Sequence, residues 1–187
     1  MLLATIALAS CDASVAPGNE SQSPAASLLP DKQPSKTACG EDSALKTTLY
    51  GALAGDIEWF AADMQCEGMP RPGGAGARLR FAGLVGDASL PIAFIIAMPE
   101  LERGIEGLEL ASNVTVIEEN SSRFFSTADL ESCWTDIETT YALDESGDRF
   151  VIDGVLYCIS PLPEVNGDAS VSIPEMRFSG LLDWTAT

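Results

Sequence analysis

Cys133-Trp134-Thr135-Asp136-Ile137-Glu138-Thr139-Thr140-Tyr141-Ala142-Leu143-Asp144-Glu145-Ser146-Gly147-Asp148-Arg149-Phe150-Val151-Ile152-Asp153-Gly154-Val155-Leu156-Tyr157-Cys158 is the stretch that decides the fold. Its centre, Asp144 to Asp148, has the Asp, Ser and Gly chemistry of a turn, and β-branched and aromatic residues recur on either side. Folding about that turn lays Trp134–Leu143 against Arg149–Ile159 and brings Cys133 opposite Cys158, within reach of a cross-strand disulfide. The register agrees, because Phe150, Ile152, Leu156 and Cys158 share one face at a spacing of two.

The same period runs outward in both directions. Ala77, Leu79 and Phe81 alternate with Arg78 and Arg80, and Val114 and Val116 with Asn113 and Thr115. Val171 and Ile173 alternate with serines. Met176, Phe178, Gly180, Leu182 and Trp184 alternate with Arg177, Ser179, Leu181 and Asp183. Leu90 to Met98 is a continuous apolar run, which predicts a strand buried on both faces. Turn residues fall between the runs, at Gly68 to Gly76, Gly86-Asp87, Asn120-Ser121-Ser122 and Asn166-Gly167-Asp168. Gly73-Gly74-Ala75-Gly76 lacks the following Lys-Ser/Thr of a phosphate loop and reads as a hairpin connection. The expectation is an all-β protein with little helix: an antiparallel β-sandwich, immunoglobulin-like or jelly-roll-like. Ser43 to Ala54 is the one ambiguous segment. Leu45, Leu49 and Leu53 have helical spacing, and Thr47, Thr48 and Gly51 oppose it. Leu79-Arg80-Phe81-Ala82-Gly83-Leu84 is echoed by Met176-Arg177-Phe178-Ser179-Gly180-Leu181, which we read as similar strand positions.

At the other end, Met1 to Ala7 is apolar, Leu8-Ala9-Ser10-Cys11 closes the run, and polar Asp12 follows. Residues 1–11 resemble bacterial lipoprotein signals. That resemblance implies cleavage before Cys11 and a diacylglyceryl anchor on its sulfur, with the protein held at the inner or outer membrane facing the periplasm. No Lys or Arg precedes the apolar run and the run is short for an export signal, a departure that bears on where the chain starts. Asp12 to Lys36 is rich in Ser, Pro and Ala without hydrophobic period and reads as a tether, spanning roughly 25–30 Å as a flexible chain. The expected organisation is a signal peptide at 1–10, a lipidated tether at 11–38 and one β-sandwich domain at 39–187.

With Cys11 lipidated, Cys39, Cys66, Cys133 and Cys158 remain, an even number suited to an oxidising compartment. The hairpin pairs Cys133 with Cys158, and elimination pairs Cys39 with Cys66. The chain has no histidine and no Cys-x-x-Cys, so serine or cysteine triads, a structural zinc site and a thiol redox motif are not expected. Asp and Glu number 28 against 10 Lys and Arg. This disfavours nucleic acid and anionic membrane faces as partners. Glu118, Glu119, Asp129, Glu131, Asp136, Asp153, Glu164 and Asp183 are all candidates for a carboxylate dyad, but no spacing selects a pair and we read them as solvated. Asp144–Asp148 and Glu164–Asp168 offer clustered oxygens for Ca2+ as a minor alternative; Asp, Asn and Gly also serve tight turns without metal. No cofactor is expected.

Three residues stand out as candidates for ligand contact. Arg71 sits on a Pro-flanked turn after Cys66, Phe125 belongs to the adjacent pair Phe124-Phe125, and Trp134 follows Cys133 on the opposite face. Trp59, Trp134 and Trp184 are more simply read as core or strand-end residues. The Asn113-Val114-Thr115 and Asn120-Ser121-Ser122 sequons read as strand and turn. The functional expectation is a membrane-anchored, non-enzymatic binding or envelope-structural β-domain with a protein or glycan partner. The alternative is a carbohydrate-binding module or a carboxylate-based glycan-active enzyme.

Overall fold

The computed structural model describes residues 39–86 and 90–186. The signal, Cys11 and the tether lie outside the described residues. The strands are β1 (Ala44–Gly51), β2 (Gly55–Phe60), β3 (Met64–Pro70), β4 (Ala77–Val85), β5 (Leu90–Met98), β6 (Gly107–Ala111) and β7 (Asn113–Glu118). They continue as β8 (Arg123–Ser126), β9 (Cys133–Ala142), β10 (Arg149–Cys158), β11 (Leu162–Pro163), β12 (Ser170–Ser172) and β13 (Met176–Asp183). The described residues contain no helix. One sheet has five strands in the order β3-β4-β5-β7-β8; the other has eight, in the order β11-β12-β1-β13-β10-β9-β6 with β2 also paired to β1. Both are antiparallel and neither closes into a barrel, so the fold is a β-sandwich.

The deciding hairpin is present as read. β9 and β10 pair from Phe150↔Ala142 to Cys158↔Cys133, and the turn is closed by Leu143 N–H donating to Arg149 O. Between Asp153↔Thr139 and Gly154↔Ile137 the register shifts by one, leaving Glu138 as the extra residue of a bulge. Cys133 and Cys158 are bonded, with Cα atoms 4.1 Å apart. Cys39 and Cys66 form the second disulfide, Cα–Cα 5.0 Å. It ties the segment ahead of β1, in the larger sheet, to β3 in the smaller.

β1 resolves as a strand because its inner residues are Leu45, Thr47 and Leu49, all buried, while Lys46 and Tyr50 are exposed. β5 departs from the expectation of burial on both faces. Ile92, Phe94, Ile96 and Met98 are fully buried; on the other side Ala93 is buried too, but Ile95 and Ala97 are only half-covered. Their cross-strand neighbours there are polar, Arg80 and Thr115 beside Ile95, Arg78 and Asn113 beside Ala97. The five-stranded sheet therefore turns that face outward.

The sequence echo is explained by packing. β4 and β13 sit inside their respective sheets, and the rings of Phe81 and Phe178 meet with centroids 5.8 Å apart. A Cβ on Gly180 would stand 2.9 Å from the Phe81 ring, and one on Gly83 would stand 2.8 Å from the Trp59 indole. Each glycine of the echo thus makes room for an aromatic ring in the core. Gly154 does the same for Phe178, its direct cross-strand partner.

Candidate functional site

The outer face of the larger sheet carries a concavity. It begins with a break in pairing. β1 pairs with β13 over Ala44–Thr47 and with β12 over Tyr50–Gly51, and the register slips at Ile173-Pro174-Glu175 between them. Pro174 has no N–H to continue the ladder. The Thr47 hydroxyl fills the gap from the inner side, donating to Glu175 O at 2.7 Å. On the outer side the slip leaves a furrow of about 640 Å³, lined by Lys46, Thr48, Tyr50, Asp56, Glu58, Pro174, Glu175 and Arg177 among others. A shallower depression of about 180 Å³ shares Lys46 and Arg177 and extends to Glu138, Asp153 and Ser179.

The furrow's polar groups are paired across strands. Lys46 Nζ donates to Glu58 Oε1 at 3.2 Å, opposite it on β2. Thr48 Oγ1 donates to Asp56 Oδ1 at 2.7 Å. Arg177 Nε donates to Glu175 Oε1 at 3.0 Å, with Glu138 Oε1 at 4.0 Å from Nη1. These ion pairs are largely solvent-exposed, so they add little stability. What they do is place donors and acceptors side by side on a rigid sheet. Tyr50, 55% exposed, supplies an aromatic surface among them.

Two further aromatics share this face. Leu156 opposes Met176, so Tyr157 lies level with Glu175, and Trp134 opposes Tyr157. The Trp134 and Tyr157 rings stack with centroids 6.0 Å apart and planes 25° apart. Burial, and then the Asp136 and Glu109 carboxylates, push the Tyr157 phenol above its ordinary range, so it stays protonated and able to donate.

The three residues singled out from sequence lie apart. Trp134 is half-buried on the outer face, opposite in parity to the disulfide, as expected. Arg71 is half-buried in the turn after β3, and its Nη1 donates to Ala75 O at 3.0 Å, so the guanidinium closes its own loop. Phe125 is a correction. It is fully buried in the core, with Arg123 5.1 Å from its ring centroid, and has no free face for a ligand. Its register partner Val116 is an inner residue, which leaves Phe124 as the exposed member of the pair, at 40%. Trp59 is buried and donates Nε1–H to Leu84 O, as a core tryptophan should.

One carboxylate in each of the two acidic turns is held by the protein's own donors. Asp144 accepts from the Ser146 hydroxyl and from Gly147 and Asp148 N–H; the Ser146 bond leads in holding its carboxyl below the usual range. Glu164 accepts from Arg123 Nε at 2.6 Å and Nη2 at 3.2 Å, and that guanidinium lowers its pKa. Asp183 is lowered in the same way by the Thr185 hydroxyl and N–H. Carboxyls so stabilised as anions are poor general acids near neutral pH.

Lys46, Tyr50 and Arg177 were missed from sequence. The usable signal was the outer parity of Lys46-x-Thr48-x-Tyr50 against Asp56-x-Glu58, visible only once the segment is taken as a hairpin. Fold and site together define a disulfide-braced, open-faced β-sandwich with a polar furrow on one sheet. Searches of protein-family models, curated proteins and solved structures returned no significant match.

Proposed function

We propose that the chain is an exported bacterial lipoprotein whose β-sandwich is a binding module rather than a catalyst, anchored through lipid on Cys11 and engaging its partner through the Lys46–Tyr50–Arg177 furrow. The observation that carries this reading is the furrow itself. It is open along one side, most of its polar groups stand on the hydrogen-bonded strands β1, β2 and β13, and they are paired with one another before any partner arrives. Export is supported by the two disulfides, which belong in an oxidising compartment, and by the Leu8-Ala9-Ser10-Cys11 signal. Anchoring by one diacylglyceryl group at the end of a tether leaves the furrow free to meet ligands some distance from the bilayer.

The test has two arms. Metabolic labelling with an alkyne fatty acid should mark the full chain, and Cys11→Ser should abolish the label and release the protein from the membrane fraction. A photo-crosslinking residue at position 50 should trap a partner in cells, whereas one at Tyr141, on the same face beyond the furrow, should not. Fatty-acid labelling that persists in Cys11→Ser rejects the anchor. Equal trapping at both positions rejects the furrow.

A further inference from the structure

Resting on the binding-module reading, we propose that the furrow's ligand is a neutral oligosaccharide chain. Each sugar hydroxyl both donates and accepts, so recognition of adjacent hydroxyls needs donors and acceptors close together. The furrow offers this arrangement three times, in Lys46–Glu58, Thr48–Asp56 and Arg177–Glu175. The carboxylates keep free lone pairs after pairing, and Lys46 and Arg177 keep free N–H groups. Tyr50 provides the ring on which the C–H face of a sugar packs, and Pro174 adds apolar surface. The volume of about 640 Å³ is in the range of small-molecule sites, and its continuation past Lys46 and Arg177 lets a chain run on along the sheet.

The same pairing argues against charged ligands. An anionic polymer would face Asp56, Glu58 and Glu175 with only Lys46 and Arg177 to meet it. A basic peptide would have to displace Lys46 and Arg177 from carboxylates they already hold. A neutral polyol needs neither change. The stacked Trp134–Tyr157 pair adds a second aromatic surface on the same face, level with Glu175.

The experiment is isothermal titration of the full chain, in non-denaturing detergent, with cellohexaose, xylohexaose, maltohexaose and chitohexaose, and with polygalacturonate as the anionic comparison. At least one neutral hexasaccharide should bind. Tyr50→Ala and Arg177→Ala should each weaken it tenfold or more, Tyr50→Phe should retain it within threefold, and Trp184→Ala, away from the furrow, should leave it unchanged. Near-ultraviolet circular dichroism of each variant distinguishes lost binding from lost folding. Absence of binding to all four hexasaccharides, binding indifferent to both furrow variants, or preference for polygalacturonate would overturn the proposal. Failure here separates from failure of the module reading: a protein trapped at position 50 without glycan binding overturns the sugar and leaves the binding face, while neither result overturns both.

Discussion

Removing the Cys133–Cys158 disulfide tests whether this sandwich depends on covalent bracing. The bond joins residues 25 apart in sequence. In the chain-entropy model, closing such a loop lowers the entropy of the unfolded chain enough to stabilise the fold by about 3.5 kcal/mol at 25 °C. Cys133 is fully buried, so Cys133→Ala/Cys158→Ala also removes core contacts and the loss should not be smaller than this by much. For a domain of this size that is a fall in Tm of ~7–14 °C. The assay is equilibrium urea denaturation followed by tryptophan fluorescence, with a steeper denaturant slope expected because the unlinked chain unfolds further. Cys39–Cys66 closes a loop of nearly equal span, 27 residues, so its entropic contribution is the same within ~0.1 kcal/mol. Its removal should nevertheless cost less. Residues 39–43 lie ahead of β1, outside any strand, and would gain freedom in the folded state too, offsetting part of the loss. A Cys133→Ala/Cys158→Ala protein within ~1 kcal/mol of the parent would refute the entropic account.

Three other outcomes follow from particular contacts. Gly180→Ala puts a methyl 2.9 Å from the Phe81 ring and should destabilise by about 1–3 kcal/mol in urea titration, with part of the loss recovered by adding Phe81→Leu. In the buried Ser112–Thr135 pair, Ser112 Oγ donates its one proton to Leu110 O, so Thr135 must be the donor across the 2.8 Å contact. Ser112→Ala therefore strands a buried hydroxyl and should cost ~1–3 kcal/mol, more than Thr135→Val, which strands none. Glu164 is held below its ordinary pKa by Arg123, so its contribution to stability is present above about pH 4.3, where the unfolded group is also ionised, and is lost as pH falls through the folded value. The stability gap between parent and Arg123→Gln should accordingly close on acidification; a gap that widens between pH 5 and pH 2 rejects the assignment.

The hairpin was legible because three signals coincided there: period two, turn chemistry and a cysteine at each open end. Such agreement is what lets a local pattern specify a long-range pairing. β1 was ambiguous for an arithmetical reason. Leu45 and Leu49 are four apart, and four is compatible with both a helical turn and two strand repeats. The pairing of Ala44–Leu49 with Gly55–Phe60 settles it in favour of the strand. Leu90–Met98 misled differently. Continuous apolarity reports composition, and Ile95 and Ala97 are apolar residues on a face whose neighbours are Arg78, Arg80, Asn113 and Thr115. Apolar residues on a protein surface are ordinary, so the run could not distinguish a central covered strand from one with an open face.

The site was less legible than the fold because its parts come from opposite ends of the domain. Lys46 and Tyr50 meet Glu175 and Arg177 only because β1 takes β13 and then β12 as partner, and the furrow exists only because that exchange is interrupted at Ile173-Pro174-Glu175. In sequence those three residues look like an unremarkable end to the Val171–Ile173 alternation. The Phe124-Phe125 pair shows the complementary limit. Adjacency alone says that two strand residues face opposite ways; which one enters the core depends on Phe125 standing opposite Val116, and so on the register of β7 with β8. A one-residue slip there would expose Phe125 and bury Phe124. Parity along one strand is therefore readable from composition, but its sign is a property of pairing. Function on this sandwich follows the sign, since the same alternation puts Leu45 and Leu49 in the core and leaves Lys46 and Tyr50 to form the furrow.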